Sequence, residues 1–213
     1  MTIRHIFFDV GGVLGTAGWD TEQRSAAVDR FALDPVDFGQ RHQEAVGMFE
    51  EGRMTLDEYL DVTVFHASRP FGRDEFKEFM RSRSAPFPRT IAIARKLADT
   101  RRYGLMTINN ESAELNVHRI RRFRLIDIFA TFFSSCWLGV AKPSRRIYEL
   151  ALTMSQADPE RSVFIDDREQ NLPPARALGM HTVRYVSPPQ LVTDLTSLGV
   201  VIADRDDRWC TSR

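Results

Sequence analysis

The chain has 213 residues, with 29 basic and 29 acidic side chains and a formal net charge of zero. This length fits one sizeable domain, or a core domain with a smaller insert, and the balanced charge gives no overall field that would attract nucleic acid or an anionic membrane. The two cysteines, Cys136 and Cys210, match no metal-ligand spacing, and no apolar stretch approaches the roughly 20 residues that span a bilayer, so we expect a cytoplasmic protein without nucleic-acid or membrane partners.

The first predicted element is a buried strand that ends in an acid. An apolar run stops at Asp9 and is followed closely by Gly11 and Gly12. This pattern predicts a strand that ends in a tight turn, with Asp9 at the sheet edge where open α/β sheets bind ligands. The glycines leave space beside the carboxylate for a backbone carbonyl and a bulky anionic substrate. Taken alone, the pattern is more typical of an aspartate that caps a turn.

A helical segment follows the first strand. Apolar residues recur at helical spacing, Thr55 and Glu58 form a capping-box pattern, and the prolines of Ala85–Pro88 end the segment. The predicted helices cover Thr21–Phe31, Pro35–Glu51, Thr55–His66 and Arg73–Ser82. We interpret this segment as a helical insert.

Strands and helices then alternate to the end of the chain. The predicted strands are Tyr103–Ile108, Ala130–Ser134, Ser162–Asp166, His181–Val186 and an edge strand over Val200–Ala203. The predicted helices are Thr90–Thr100, Glu111–Phe123, Ser144–Met154, Leu172–Leu178 and Gln190–Leu198. Such alternation indicates right-handed crossovers, and therefore an α/β fold with a parallel sheet covered by helices on both faces.

Polar residues lie at the ends of the other predicted strands. Thr107 and Asn109 end one strand with small hydrogen-bonding groups that can hold an oxyanion, and Lys142 precedes a helix. Asp166 and Asp167 end another strand, where two adjacent acids repel unless a cation lies nearby; magnesium is the hard divalent ion that best fits them. Each feature alone is more typical of turns, caps or solvated surface. Together, at one edge of a parallel sheet, they predict a single site.

Four motifs in this order resemble the haloacid dehalogenase-like (HAD) hydrolase superfamily. They are Phe8–Leu14, Met106–Asn110, Ala141–Pro143 and Phe164–Asp167 with Asn171 following. The insert resembles the small helical cap of one branch of that family, notably over Glu51–Tyr59. The resemblance implies a Rossmann-like core domain over residues 1–15 and 87–204, a helical cap domain over 16–86 and a flexible tail over 205–213.

The resemblance also implies a phosphoryl-transfer mechanism. Asp9 would attack phosphorus to form an aspartyl-phosphate, which water then hydrolyses. Lys142 would neutralise the nucleophile and a phosphoryl oxygen, and Thr107 and Asn109 would donate hydrogen bonds to the transferring group.

The same resemblance implies a magnesium site and a substrate site. Asp9, the backbone carbonyl of Gly11, and Asp166 or Asp167 would hold Mg²⁺, which offsets the repulsion between the nucleophile and the phosphate. Gly12 and Asn110 are the remaining candidates for substrate binding.

Two positions depart from the family pattern. The usual general acid and base, an aspartate two residues after the nucleophile, is replaced by Gly11; His42, Glu44 and Asp20 are candidate replacements that the sequence does not rank. The usual Ser or Thr directly before Asn109 is replaced by Ile108. We expect Thr107 to take that role, since alternate residues of a strand share a face and Thr107 would then point with Asn109.

The leading prediction is a magnesium-dependent phosphatase of a small phosphorylated metabolite. Two alternatives remain open: a 2-haloacid dehalogenase that works without metal, and a non-catalytic HAD-fold binding protein. A metal-free site for an anionic haloacid has no use for two additional acids, which disfavours the dehalogenase. The sequence leaves the oligomeric state open. Candidate pocket residues in the cap are Arg24, Arg41, His42, Phe49 and Arg53.

Overall fold

The fold is built on one parallel sheet in a computed structural model that describes residues 2–202. Five strands lie in the order β3-β2-β1-β4-β5, all parallel. The strands are β1 His5–Phe8, β2 Gly104–Asn109, β3 Thr131–Ser134, β4 Ser162–Asp166 and β5 His181–Arg184. Because β1 lies between β2 and β4, the residues that follow these three strands meet at the centre of the carboxyl edge.

Four helices connect β1 to the rest of the core. They are α1 Thr21–Phe31, α2 Pro35–Glu50, α3 Leu56–Thr63 and α4 Arg73–Ser82. The capping box predicted at α3 is present, with the Glu58 backbone N donating to Thr55 Oγ1 and the Thr55 backbone N donating to Glu58 Oε2. A ring-rich apolar cluster fills the space between the helices, including Phe49 stacked on Tyr59 with centroids 4.2 Å apart. The insert therefore has a hydrophobic core of its own.

The other helices cover the sheet. They are α5 Pro88–Asp99, α6 Ala113–Arg122, α7 Ser135–Leu138, α8 Arg145–Ser155, α9 Leu172–Arg176 and α10 Pro188–Ser197, with 3-10 turns at Leu125–Asp127, Pro159–Arg161 and Glu169–Asn171. None of the helices in the described part of the chain has the length and apolarity of a transmembrane segment.

Successive residues of β1 face opposite layers of the core. Phe7 packs in a cluster with residues of α8 and α9, whereas Phe8 packs in a second cluster with residues of α5 and α10. Helices therefore cover both faces, as the alternating pattern predicted.

The predicted edge strand over Val200–Ala203 is wrong for the residues that the structure describes, because residues 200–202 form no strand. Val200 and Ile202 pack against the hydrophobic core, and the Val201 backbone N donates to the Tyr103 hydroxyl. The apolar run therefore reflects packing rather than strand pairing. Ala203, Cys210 and the predicted tail 205–213 lie outside the described residues.

Candidate active site

A buried lysine lies between two buried carboxylates at the carboxyl edge of the sheet. Asp9 follows β1, Asp166 ends β4, and Lys142 lies just before α8. Lys142 Nζ is 2.8 Å from Asp9 Oδ1 and 2.6 Å from Asp166 Oδ2. The structure thus brings together three residues that the sequence predicted for one site.

Burial and charge act in opposite directions on these groups. Burial raises the pKa of Asp9 to about 7, with Asp166 adding to the rise and Lys142 opposing it. Burial lowers the pKa of Lys142, but the carboxylates of Asp9 and Asp166 outweigh it and hold that pKa above the ordinary value. Lys142 is therefore charged at neutral pH. A further cation beside Asp9 would favour its ionised form.

A third acid completes a cluster that suits a hard divalent cation. Asp9, Asp166 and Asp167 each offer a carboxylate oxygen within 4.8 Å of the others. Asp167 Oδ1 is buried and has no hydrogen-bond partner, whereas the Asp166 carboxylate accepts bonds from Lys142 and from Asn171 Nδ2 at 3.0 Å. An orphaned acidic oxygen beside two other carboxylates fits magnesium.

Gly12 makes room for Asp167. Its φ is +77°, which favours glycine, and a Cβ placed on it would overlap the Asp167 carboxylate. Its backbone N donates to the Gly15 carbonyl oxygen at 2.8 Å, and Gly12 does not line the cavity described below. Gly12 was expected to contact substrate, but its position outside the cavity lining does not place it there. Gly11 does line the cavity. A Cβ placed on it would lie 3.4 Å from its nearest neighbour, the Gly18 backbone N, which is an ordinary contact distance.

Thr107 and Asn109 do not face the carboxylate cluster. They share a face of β2, as expected, but Thr107 lies level with Phe8, so this face is opposite to that of Asp9. Thr107 Oγ1 is buried without a partner, and the Asn109 amide bonds Asn116 Oδ1 and the Ser134 hydroxyl. Neither residue lines the cavity. The expectation that these side chains donate to the transferring group is corrected, because both lie on the face of β2 opposite to Asp9 and outside the cavity.

Asn110 positions Lys142. The Lys142 backbone N donates to Asn110 Oδ1 at 2.8 Å, and Asn110 Nδ2 donates to the Lys142 carbonyl at 2.9 Å. Asn110 also lines the cavity. Its amide fixes the lysine backbone, and its contact with substrate stays a prediction.

A cavity of about 230 Å³ opens over Asp9 and Lys142 toward the helical insert. Three of the candidate pocket residues line it: Arg24, His42 and Phe49. The other two do not, since Arg41 pairs with Asp37 and Arg53 pairs with Glu51. The small volume and the insert above it suit a small ligand.

His42 is neutral and presents a donor. The Trp19 indole, which can only donate, bonds the Tyr59 hydroxyl at 2.9 Å, and that hydroxyl is 2.8 Å from His42 Nδ1. The hydroxyl therefore accepts from Trp19 and donates to Nδ1, which leaves the imidazole proton on Nε2. Burial, reinforced by Arg24, lowers the pKa of His42 to about 4.

Two acids that line the cavity, Glu111 and Glu50, were missed in the sequence. Glu111 forms a buried ion pair with Arg119, whose Nη1 lies 3.0 Å from Glu111 Oε2. Glu50, the last residue of α2, also lines the cavity. Glu50 faces the site through the packing of the insert against the core, and Glu111 does so from the loop after β2, where no local pattern distinguished it from a turn residue.

Residues 3–179 match the haloacid dehalogenase-like hydrolase family. A HAD family enzyme of Bacteroides thetaiotaomicron, solved as a magnesium complex, is 21% identical with a TM-score of 0.72 and covers 87% of this chain and 94% of its own. The L-2-haloacid dehalogenase of Xanthobacter autotrophicus was solved with chloropropionic acid covalently bound. It is 18% identical with a TM-score of 0.59, and the match covers 94% of this chain and 85% of the dehalogenase chain. At these identities the likeness shows the fold alone.

Curated relatives are much longer proteins. Drimenol cyclase drtB of Aspergillus calidoustus is 26% identical over 203 residues, which are 92% of this chain and 36% of the relative. Acyl-CoA dehydrogenase family member 10 of Mus musculus is 36% identical over 70 residues, 33% of this chain and 6% of the relative. The chain thus spans about a third or less of the length of these relatives.

Proposed function

Because this chain belongs to the haloacid dehalogenase-like hydrolase family, we propose that it is a magnesium-dependent phosphatase of small phosphate monoesters. One observation carries the proposal: the buried, unpartnered oxygen of Asp167 lies beside Asp9 and Asp166. Three buried or half-buried acids against a single buried lysine leave an excess of negative charge, which a divalent cation would balance.

Asp9 is the nucleophile of the proposed reaction. Its Oδ1 accepts bonds from the Val10 backbone N and from Lys142, so Oδ2 is the oxygen left to attack phosphorus. The attack breaks the ester bond and gives an aspartyl-phosphate, and water then attacks phosphorus and releases Asp9. Lys142 keeps Asp9 ionised and reduces its repulsion of the substrate.

Asp9, Asp167 and the Gly11 carbonyl would hold Mg²⁺, with Asp166 beside them. When bound, the ion supplies charge stabilisation to the transferring phosphoryl group. Asp166 has a second task, because its carboxylate holds Lys142 and is itself held by Asn171. We propose that Asp167 is the direct ligand of the late pair, since its oxygen is the one without a partner.

The insert acts as a cap in this proposal. Arg24, His42 and Asp20 come from residues 16–86 and close the cavity over the core, residues 1–15 and 87–204. A polar cavity of about 230 Å³ beneath the cap suits a small hydroxyl-rich metabolite such as a sugar phosphate rather than a polymeric substrate. His42 Nε2 and the Arg24 guanidinium would donate to its hydroxyl or anionic groups.

Replacing the nucleophile tests the proposed function. Asp9→Asn is expected to keep the fold and lose about 10⁴–10⁶-fold in kcat, because an amide oxygen does not form the phosphoenzyme. The measurement is phosphate release from p-nitrophenyl phosphate with Mg²⁺, with circular dichroism to check folding. Asp29→Asn, at an exposed position of α1, is the matched control and should be unchanged.

Three outcomes would contradict the proposal. Full activity in the Asp9→Asn variant would refute the assignment of Asp9 as the nucleophile. If the unaltered protein with Mg²⁺ releases no phosphate from aryl phosphates or a sugar-phosphate panel but releases halide from 2-chloropropionate, the chain is a dehalogenase. If it releases neither product, the non-catalytic binding protein is correct.

A further inference from the structure

The proposed reaction needs a proton donor that residue 11 does not provide. An alkoxide is a poor leaving group, and protonating it contributes about 10²–10⁴ in rate. Gly11 has no side chain to do this, so the group must come from elsewhere in the cavity. The inference below rests on the proposed function and adds a residue to it.

Glu50 is placed to serve the cavity. It is the last residue of α2, it lines the cavity that also contains Asp9 and Lys142, and it is partly buried. Its carboxylate forms no hydrogen bond or ion pair with any residue between 2 and 202. An acid held in a cavity without a partner is unusual for a purely structural residue, since buried acids are ordinarily paired.

The backbone of Glu50 is fixed to the core rather than to the cap alone. The Ser135 hydroxyl, at the start of α7, donates to the Glu50 carbonyl oxygen at 2.6 Å. Two residues later, Gly52 has φ +69°, and a Cβ placed on it would overlap the Cys136 carbonyl oxygen. The end of α2 is therefore packed tightly against α7. This contact sets the position of Glu50 relative to the carboxyl edge of the sheet.

The surroundings of Glu50 favour its protonated form. Burial and, to a smaller extent, the facing acid Glu111 raise its pKa to about 7, against the opposing effect of Arg168 and Lys142. The charged and titratable groups that face Glu50 come from the loop after β2, the loop after β4, the segment before α8, the loop before α1, and α3: Glu111, Arg168, Lys142, Asp20 and Tyr59. A carboxyl group with a pKa near neutrality can both give and take a proton at working pH.

The other candidates are less suited to the role. His42 accepts at Nδ1 and has its pKa lowered, so it is not a protonated acid at neutral pH. Asp20 pairs with Arg168, and despite its burial the Thr21 backbone N and Arg168 lower its pKa, so it is ionised. Glu44 is exposed and lies outside the cavity lining. Glu111 is committed to Arg119.

We propose that Glu50 is the general acid and base of the reaction, supplied by the cap in place of the side chain absent at residue 11. In the first step Asp9 Oδ2 bonds to phosphorus, the ester P–O bond breaks, and the leaving oxygen takes the proton of the Glu50 carboxyl. In the second step the Glu50 carboxylate takes a proton from water as the water oxygen bonds to phosphorus and the Asp9–phosphorus bond breaks. Alcohol and phosphate are released, and both acids return to their starting states.

The test compares leaving groups of different basicity. For Glu50→Gln, kcat/KM reports the first step and should fall about 10²–10⁴-fold with glycerol phosphate. It should change less than about threefold with p-nitrophenyl phosphate, whose leaving group needs no proton. With the aryl substrate, kcat should still fall, because water attack on the phosphoenzyme has lost its base. Glu44→Gln, on the same helix, is the matched control and should behave as the unaltered protein.

The pH profile gives a readout that a structural role would not change. With glycerol phosphate, kcat/KM of the unaltered protein should decline above pH about 7, where Glu50 loses its proton. Glu50→Gln should lack this decline on the same substrate, so titration of the substrate cancels in the comparison. Glu50→Asp should recover part of the activity and retain a decline.

The outcomes separate this inference from the proposed function. If the unaltered protein hydrolyses phosphate esters and Glu50→Gln lowers kcat/KM equally for both substrates, or for neither, then Glu50 is not the acid and base and the phosphatase stands. If the unaltered protein hydrolyses no phosphate ester, both are overturned. The predicted pattern, a selective loss with the poor leaving group, would establish the role of Glu50.

Discussion

At the scale of single residues, the site depends on glycines as much as on acids. The carboxylate of Asp167 occupies the space that a side chain on residue 12 would fill. The two glycines after Asp9 were interpreted as leaving space for a backbone carbonyl and a substrate, but the group that uses the space at Gly12 is a carboxylate of the protein. The sequence could not identify this group, because the contact joins residues far apart in the chain.

Gly12→Ala should weaken magnesium binding. The added methyl group would displace the Asp167 carboxylate, and we expect the dissociation constant for Mg²⁺ to rise about 10–100-fold, as for other disturbances next to a metal site. Isothermal titration calorimetry with MgCl₂ measures it. Gly139→Ala is the control, since Gly139 also has a positive φ, +68°, but has no atom near its Cβ position. Equal affinities in the two variants would contradict the assignment of Asp167 as a ligand.

The neutral His42 predicts how stability depends on pH. Its folded pKa, about 4, is below the unfolded value of about 6.5, so the unfolded chain binds more protons between these values. Stability contributed by His42 is thus fully present above pH about 6.5 and is lost as the pH falls toward 4. Urea unfolding at several pH values should give a slope up to about 1.4 kcal/mol per pH unit steeper in the unaltered protein than in His42→Gln. Identical slopes would show that His42 is already charged when folded.

At the scale of elements, residue patterns predicted the layout well where a strand or helix was long or sharply bounded. β1 and β4 were recognisable as apolar runs that end in acids, and α3 by its capping box. The helix α7 was missed because four residues carry no helical periodicity, and α10 begins at Pro188, two residues earlier than predicted, because Ser187 caps it. Which side chains of β2 share a face with Asp9 depends on the strand register, and the sequence alone does not fix that register.

The Glu111–Arg119 pair links three elements. Arg119 of α6 bonds Glu111 in the loop after β2 and also the Thr16 carbonyl oxygen in the loop that leads into the insert. Arg119→Met should lower the free energy of unfolding by about 3–5 kcal/mol, because it leaves a buried carboxylate without its partner. Arg30→Met, which removes an exposed pair with Glu75, should cost less than about 1 kcal/mol. Denaturant unfolding measures the free energy of unfolding of both variants. Equal losses would contradict a stabilising role for the buried Glu111–Arg119 pair.

At the scale of the whole molecule, the insert and the sheet have separate hydrophobic cores, and the cavity over Asp9 and Lys142 lies where the two parts meet. The insert has its own apolar cluster, to which Leu115 of α6 contributes, while two other clusters lie on the faces of the sheet. Alternation of strands and helices predicted the sheet, and the motif order predicted that Asp9, Lys142 and Asp166 would meet. Arg24, His42 and Phe49 of the insert were predicted as pocket residues and do line the cavity, whereas Glu50 was not predicted, because it reaches the cavity only through docking of the insert on α7 and the sheet edge.

Gly52→Ala should disturb this docking. The added methyl group would overlap the Cys136 carbonyl and displace the end of α2, so kcat/KM for phosphate esters should fall by up to about 10²-fold. Gly199→Ala is the control, because Gly199 has a similar φ of +75° and no atom near its Cβ position. Steady-state kinetics on both variants, with unfolding curves, separates misplacement from instability. Unchanged kinetics in Gly52→Ala would show that docking at α7 does not set the cavity.

The placement of Trp19 provides a built-in optical probe. Its indole lines the cavity while donating to Tyr59, so a molecule that enters will alter its emission without any attached label. Trp137, half-exposed at 50%, would respond to acrylamide rather than to the cavity. A chain with Phe at residues 137 and 209 would keep Trp19 as its single tryptophan, so stopped-flow fluorescence with excitation selective for tryptophan could time ligand arrival directly.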